Sequence, residues 1–66
     1  MKVKDITKLT GTVMFRLIDA TRQGYMTCPK VLYEADKNAL HASGYDEMEI
    51  VFIEAYGKNK IALYVK

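Results

Sequence analysis

The residues that could do chemistry in this chain are few, beginning with its single cysteine and single histidine. Cys28 and His41 lie thirteen positions apart, with Pro29 between them. A nucleophilic cysteine needs a base within hydrogen-bonding distance and a site that stabilises an oxyanion, and the sequence shows neither. We therefore interpret Cys28 as a small buried apolar residue. We interpret His41 as a residue near a helix end, where a cation favours the C-terminal dipole.

Metal and phosphate sites are not predicted either. One cysteine and one histidine are fewer than the three or four ligands that a zinc site requires. Asp46, Glu47 and Glu49 lack the glycine and the alternating ligands of a calcium loop, so we interpret them as a solvated strand face or as strand-edge protection. The four glycines are isolated, and no glycine-rich fingerprint follows a strand. We predict no cofactor, no metal and no enzymatic activity.

Five tyrosines are the most unusual feature of the composition. Tyrosine combines a large contact area with a polar tip and is enriched at interfaces. Around the last predicted turn, tyrosines and lysines could bind a partner protein or stack on bases. The alternative is that tyrosine only covers the sheet, for which it has a high propensity. The candidate binding residues are Tyr25, Tyr33, Tyr56, Tyr64, Lys58 and Lys60.

The charge balance argues against partners that are held by bulk electrostatics. The net charge is +2, which is too small to indicate a nucleic acid or a membrane surface. Lys2, Lys4 and Lys8 surround Asp5, a pattern typical of a solvated helix face. No apolar run approaches the ~20 residues of a membrane span, and we expect no signal peptide. With one cysteine there is no internal disulfide, and we expect a cytoplasmic protein.

The elements that position these residues follow from hydrophobic periodicity. Val3, Ile6 and Leu9 recur every three residues and predict a short helix that ends at Gly11, with an extended arm as the alternative. The segment 12–19 is rich in β-branched and apolar residues on both faces, which predicts a central strand.

The middle of the chain predicts a hairpin and a second helix. Gly24 can take a positive φ in the turn after the first strand, and residues 25–28 are predicted to return as a strand. Pro29 ends that strand or lies at a sheet edge, and residues 31–33 could extend it; we expect the strand to end near Tyr33. We expect a helix from about Glu34 to Ala42, with Gly44 as its cap.

The last third of the chain predicts a second hairpin. Residues 45–56 are predicted as a strand in which Met48, Ile50 and Phe52 alternate with Glu49, Val51 and Ile53. A turn at 57–60 leads to a strand at 61–65, with Ile61, Leu63 and Val65 on one face.

The sequence therefore predicts one α+β domain, residues 1–66, in the order α-β-β-α-β-β. Its four-stranded, mostly antiparallel sheet carries both short helices on one face. The exposed edges of two hairpins favour a homodimer or a higher oligomer.

The order of these pieces resembles that of small orphan proteins encoded by phages and prophages of Gram-positive bacteria. Such proteins begin with a helix like Met1–Ile6, continue through a hairpin with a Gly24-Tyr25 return, and end in a Glu-rich to Ile/Val-rich hairpin like 47–65. The likeness spans nearly the whole chain but includes no diagnostic motif. It implies action in the bacterial cytoplasm and supplies no site residues.

The functional expectation is a small non-enzymatic protein that binds a host or defence protein. Its size, its lack of a catalytic constellation and its surplus of tyrosine favour this function. The first alternative is an oligomeric protein that sequesters a nucleotide between tyrosines and lysines at a subunit interface. The second alternative is a weak nucleic-acid-binding module, which the near-balanced charge disfavours.

Overall fold

A computed structural model describes residues 1–9 and 14–66 of the chain. Gly11 as a helix end, and the first two residues of the predicted strand 12–19, lie outside the described residues. The α+β class and the order α-β-β-α-β-β are confirmed. The elements are α1 (Val3–Leu9), β1 (Met14–Asp19), β2 (Val31–Asp36), α2 (Lys37–Ser43), β3 (Ile50–Gly57) and β4 (Lys60–Val65).

The four strands form one mixed sheet in the order β2-β1-β4-β3. Strand β1 pairs antiparallel with β2, and β3 pairs antiparallel with β4, so both hairpin partners are neighbours as predicted. Strands β1 and β4 pair in parallel and join the two hairpins. The prediction that β1 is central is therefore confirmed, and β2 and β3 are the edges of the sheet.

The two helices share one face of the sheet, and the main core lies beneath them. Alternate residues of β1 and β4 point toward the helices, because successive side chains in a strand point to opposite faces. Fully burying each such side chain is worth roughly 1.5–3 kcal/mol. The fully buried side chains of this core are Val3, Phe15, Leu17, Leu40, Leu63 and Val65.

The second strand begins later than predicted, because the loop before it folds on itself. The carbonyl of Gly24 accepts hydrogen bonds from the amides of Thr27 and Cys28, at 3.1 and 2.9 Å. Gly24 has φ +73°, the positive value expected of it. Residues 25–28 therefore form turns, and the prediction of a returning strand there is wrong. Strand β2 begins at Val31, after Pro29.

The second helix also begins later than predicted. Strand β2 continues past Tyr33 to Asp36, whose carboxylate accepts a hydrogen bond of 2.9 Å from the amide of Ala39. Asp36 is thus the N-cap of α2, and the predicted helix start at Glu34 is wrong. At the other end, Gly44 has φ +88° and caps the helix as expected.

Strand β3 is shorter than the predicted strand 45–56, and its alternation is interrupted. The amides of Val3 and Lys4 at the start of α1 donate to the carbonyls of Met48 and Asp46, both at 3.0 Å, so these two residues bond to α1 instead of extending the strand. Glu49 exchanges two hydrogen bonds with Lys66, and residues 45–48 lie outside the strand. The β3–β4 register shifts between Ile50 and Phe52, a β-bulge that leaves Val51 unpaired. Ile50 therefore lies on the helix face and Phe52 on the opposite one, and the predicted alternation of Met48, Ile50 and Phe52 is wrong.

Candidate functional site

The face of the sheet opposite the helices, here called the outer face, carries a second small core. Ile18, Ala62 and Tyr64 lie at its centre and are almost fully buried. Tyr25, from the loop between β1 and β2, and Tyr56, from β3, pack against this group. The outer face is thus already covered at its centre by the protein's own tyrosines.

Tyr64 is the middle of an aromatic cluster on the outer face. Its ring centroid lies 5.7 Å from that of Tyr25 and 5.5 Å from that of Phe52. Its hydroxyl donates to Glu54 at 3.3 Å. Burial, together with the nearby Glu54 carboxylate, raises the pKa of Tyr64. With only 5% of its surface exposed, Tyr64 contributes to packing more than to any external contact.

Three side chains from three strands form a polar group beside that cluster. Glu34 Oε2 accepts hydrogen bonds from Arg16 Nε and from the Tyr56 hydroxyl, both at 2.9 Å. The guanidinium carbon of Arg16 lies 4.1 Å from the centroid of the Tyr56 ring, which is a cation–π contact. Ala62, which faces Arg16 across the β1–β4 pair, belongs to the group against which Tyr56 packs.

The electrostatics of this polar group oppose a catalytic role. The bonds from Tyr56 and Arg16 lower the pKa of Glu34. Burial and the bond to Glu34 raise the pKa of Tyr56. Both shifts move the pKa of the group away from neutral pH, so at neutral pH Glu34 is ionised and Tyr56 is protonated. A general acid or base needs the opposite tuning, with a pKa near the working pH.

The structure divides the sequence-predicted binding residues between two faces and a turn. Tyr25, Tyr56 and Tyr64 belong to the outer face, where Phe52 and not Tyr56 faces Tyr64 across the β3–β4 pair. Tyr33 lies on the helix face, with its ring centroid 5.6 Å from that of Tyr45. Lys58 lies in the β3–β4 turn. Lys60, the first residue of β4, alternates with Ile61 and so belongs to the outer face, where its charge helps to lower the pKa of Glu34.

A run of three exposed apolar residues in one strand was not among the predicted site residues. Val51, Phe52 and Ile53 are consecutive in β3 and retain 41%, 42% and 40% of their surface exposed. We call these three residues the β3 patch. The sequence did show the apolar run, but its exposure depends on β3 being an edge strand, which only the strand order reveals. Ile53 lies on the helix face, and Phe52 lies on the outer face.

The outer edge of β3 is partly occupied by the N-terminal residues. The carbonyl of Met1 accepts a hydrogen bond of 2.7 Å from the amide of Ile50, and Lys2 forms an antiparallel bridge with Glu49. This short pairing ends at Ile50. Within the described residues, no further segment pairs with this edge from Val51 onward. The β3 patch therefore begins where the chain's own strand addition stops.

The acidic residues before β3 hold α1 in place rather than forming an isolated site. Glu47 accepts hydrogen bonds from Lys2 Nζ at 3.0 Å and from Lys4 Nζ at 2.7 Å. These bonds lower the pKa of Glu47 to about 2. Glu49 pairs with the N-terminal ammonium at 3.1 Å. Lys2 and Lys4 are half-exposed, and no pattern in the sequence indicated that Glu47 is their partner.

The remaining chemical candidates stay separate. Cys28 is exposed in the loop, so its interpretation as a buried residue is wrong. The reason is the turn at Gly24, which holds residues 25–28 outside the sheet. His41 lies in the last turn of α2 as expected, with Nδ1 3.1 Å from both carboxylate oxygens of Asp46.

Among residues 1–9 and 14–66, no group of three or more His, Cys, Asp or Glu side chains could hold a metal ion. In the same residues, neither helix has the length and apolar character needed to cross a bilayer.

Comparison of the chain with protein-family models, curated proteins and solved structures found no match. The function must therefore be argued from the site itself.

Proposed function

We propose that this chain is a non-enzymatic protein-binding domain whose contact surface is the β3 patch. The observation that carries this proposal is the exposure of Val51, Phe52 and Ile53 on a sheet edge that the rest of the described chain leaves unpaired beyond Ile50. Proteins usually protect such an edge with charges, prolines or a covering segment. An exposed apolar edge strand is therefore a marker of an interaction site.

Strand addition is the binding mode that this edge supports. An extended partner segment would gain main-chain hydrogen bonds from β3 and side-chain contacts on both faces of the sheet. Ile53 offers a contact on the helix face, and Phe52, backed by Tyr64, offers one on the outer face. The pairing of Lys2 with Glu49 is a two-residue example of the same geometry.

The biological setting that we propose follows from the resemblance to phage and prophage proteins. In that setting the chain acts in the bacterial cytoplasm on a host or defence protein. Enzymatic activity is not part of the proposal, because the pKa shifts of Glu34 and Tyr56, a hydrogen-bonded pair on the outer face, both point away from neutral pH.

The test is affinity capture from a Gram-positive host lysate with three forms of the protein. The wild type should retain a stoichiometric partner, and a Val51→Lys/Ile53→Lys variant should lose it. Val31→Lys is the matched control, because Val31 is an exposed apolar residue on the opposite edge strand, β2. The captured protein is then identified, purified and titrated against all three forms. Equal binding by all three forms would contradict the proposal.

A parallel measurement separates the alternatives. The melting temperature of the wild type should be the same with and without each nucleotide of a panel. A ligand at one hundred times its dissociation constant would add about 2.7 kcal/mol of stability. A clear shift would favour nucleotide sequestration instead. Binding to oligonucleotides that falls steeply with salt would favour the nucleic-acid alternative.

A further inference from the structure

We propose that the β3 patch is occupied first by a second copy of this chain, paired antiparallel to β3 about a two-fold axis at Ile53. This inference rests on the proposed function in one respect, namely that the patch is a protein-binding edge. It adds the identity of the occupant, the symmetry and the register.

The bulges of β3 limit where a second strand can pair. The β3–β4 register shifts between Ile50 and Phe52 and again between Ala55 and Gly57, which leaves Phe52–Ala55 as the regular stretch. A bulge disrupts the ladder and bends the strand, so pairing is best within that stretch. Two copies of one edge strand form a self-complementary interface, in which the same surface of each copy is used.

In an antiparallel pair of identical strands, the two-fold axis must lie midway between one residue and the same residue of the second copy. Directly opposed residues of an antiparallel pair lie on the same face, and successive residues alternate between faces. In a two-fold pair, one residue therefore faces its own copy. At Glu54, two carboxylates would oppose each other, which is destabilising. At Phe52, Glu54 would oppose Ile50, whose amide is already bonded to Met1.

An axis at Ile53 keeps the two Glu54 carboxylates from opposing each other. Pairing limited to residues 51–55 then covers the whole patch and stops short of Ile50, whose amide is bonded to Met1. Ile53 then faces Ile53 of the second copy, Val51 faces Ala55, and Phe52 faces Glu54. The apolar side chains that are exposed in one copy are thus placed at the centre of the shared interface. An axis at Ala55 would instead place Ile53 and Phe52 beside the β3–β4 turn of the second copy.

Charge at the two ends of β3 favours the same occupant. Glu49 lies before the first residue of the strand, and Lys58 lies after the last. Glu49 Oε1 pairs with the N-terminal ammonium, but the side chain remains half exposed. Among the described residues, Lys58 forms no ion pair. Antiparallel pairing about Ile53 brings Lys58 of each copy to within one residue of a position opposite Glu49 of the other. A strand of unrelated sequence would carry complementary charges at these two positions only by chance.

The first test uses a charge exchange that works only at a two-fold axis. Light scattering at micromolar concentration should give the wild type a mass of twice 7.5 kDa. Ile53→Lys and Ile53→Glu should each give the monomer mass, because each variant opposes like charges. An equal mixture of the two should return to the dimer mass. Circular dichroism checks that both variants fold, which the exposure of Ile53 favours. A monomeric wild type, or a dimer unaffected by either variant, overturns the proposal.

The second test fixes the register by disulfide formation. In a Cys28→Ser background, Ile53→Cys should cross-link on oxidation, because directly opposed residues satisfy disulfide geometry. Ala55→Cys should not, because its two copies would lie roughly 14 Å apart along the strands. Cross-linking at Ala55 but not at Ile53 overturns the proposed register.

Failure here is distinguishable from failure of the proposed function. A monomeric wild type that still captures a patch-dependent partner overturns only the second-copy inference. A dimer with the Ile53 cross-link that captures no other protein supports the inference and overturns the proposed binding of a host protein.

Discussion

At the scale of single residues, Tyr56 joins the two edge strands across the outer face. It belongs to β3, yet its hydroxyl bonds Glu34 of β2, and its ring lies against Arg16 of β1. We expect Tyr56→Phe to keep the ring contact and lose only the hydroxyl bond. The free energy of unfolding should fall slightly, because the bonded atoms are largely solvated. Urea denaturation measures the change.

Tyr33→Phe is the matched control for that substitution. Tyr33 is a half-buried tyrosine of the sheet that stacks on Tyr45. Its hydroxyl has no hydrogen-bond partner among the side chains that the structure describes. Its removal should leave the urea midpoint nearly unchanged. If both variants lose stability equally, the Tyr56–Glu34 bond is not the cause.

Glu47 gives the protein a predictable response to acid. Its pKa is lowered from 4.5 to about 2 by the bonds from Lys4 and Lys2. A carboxyl group whose folded-state pKa is depressed stabilises the fold fully above its unfolded pKa and loses that contribution as pH falls. We therefore expect urea midpoints to decline between about pH 4.5 and pH 2. In Glu47→Gln this part of the decline should disappear.

The Lys2→Gln/Lys4→Gln variant is the companion measurement. Without the two donors, the pKa of Glu47 has no reason to be depressed, so the same part of the acid response should be lost. Added salt should weaken the effect in the wild type, because exposed ion pairs are screened. An unchanged pH profile in both variants would contradict the assignment.

At the scale of elements, the start of α2 depends on one side chain. Asp36 accepts the amide hydrogen bond from Ala39 at 2.9 Å and has the extended backbone of an N-cap. We expect Asp36→Ala to destabilise the protein by about 1 kcal/mol in urea denaturation. Asp36→Asn is the control, because asparagine caps helices about as well. Equal losses in the two variants would show that Asp36 acts through its charge and not as a cap.

The elements that the sequence predicted well are those with a local signal. The β3–β4 turn and the face formed by Ile61, Leu63 and Val65 follow from a polar turn between two apolar runs, and Gly44 follows from a cap position. The start of α2 was missed because helix propensity continues back to Glu34, whereas tertiary pairing with β1 keeps Glu34 in a strand. The bulge at Val51 has no local signal at all.

At the scale of the whole molecule, the parallel β1–β4 pair is the centre of the structure. Leu63 of β4 is fully buried and faces Leu17 of β1. We expect Leu63→Ala to lower the free energy of unfolding by about 2–5 kcal/mol. Met26→Ala, at a loop residue that is half exposed, should change it little. Urea denaturation at one fixed protein concentration compares them, and equal effects would contradict the assigned core.

The candidate site was less predictable than the fold, because it is a property of strand order. The sequence showed the tyrosines, and three of them do meet on the outer face, but it could not show that Tyr25 and Phe52 enclose Tyr64. Likewise, the apolar run around Phe52 has the composition of a buried strand. Only the parallel pairing of β1 with β4, between residues about 46 positions apart, places β3 at the edge.

That parallel pair has a consequence for synthesis on the ribosome. Translation releases β3 before β4, and β4 is the neighbour that ties β3 to the rest of the sheet. Until residues 60–65 emerge, the apolar residues 51–53 of a nascent chain have no β4 to pair with. Neighbouring ribosomes on one messenger RNA would hold such unpaired segments close together. Two nascent chains would then be able to associate before either has formed its β1–β4 pair.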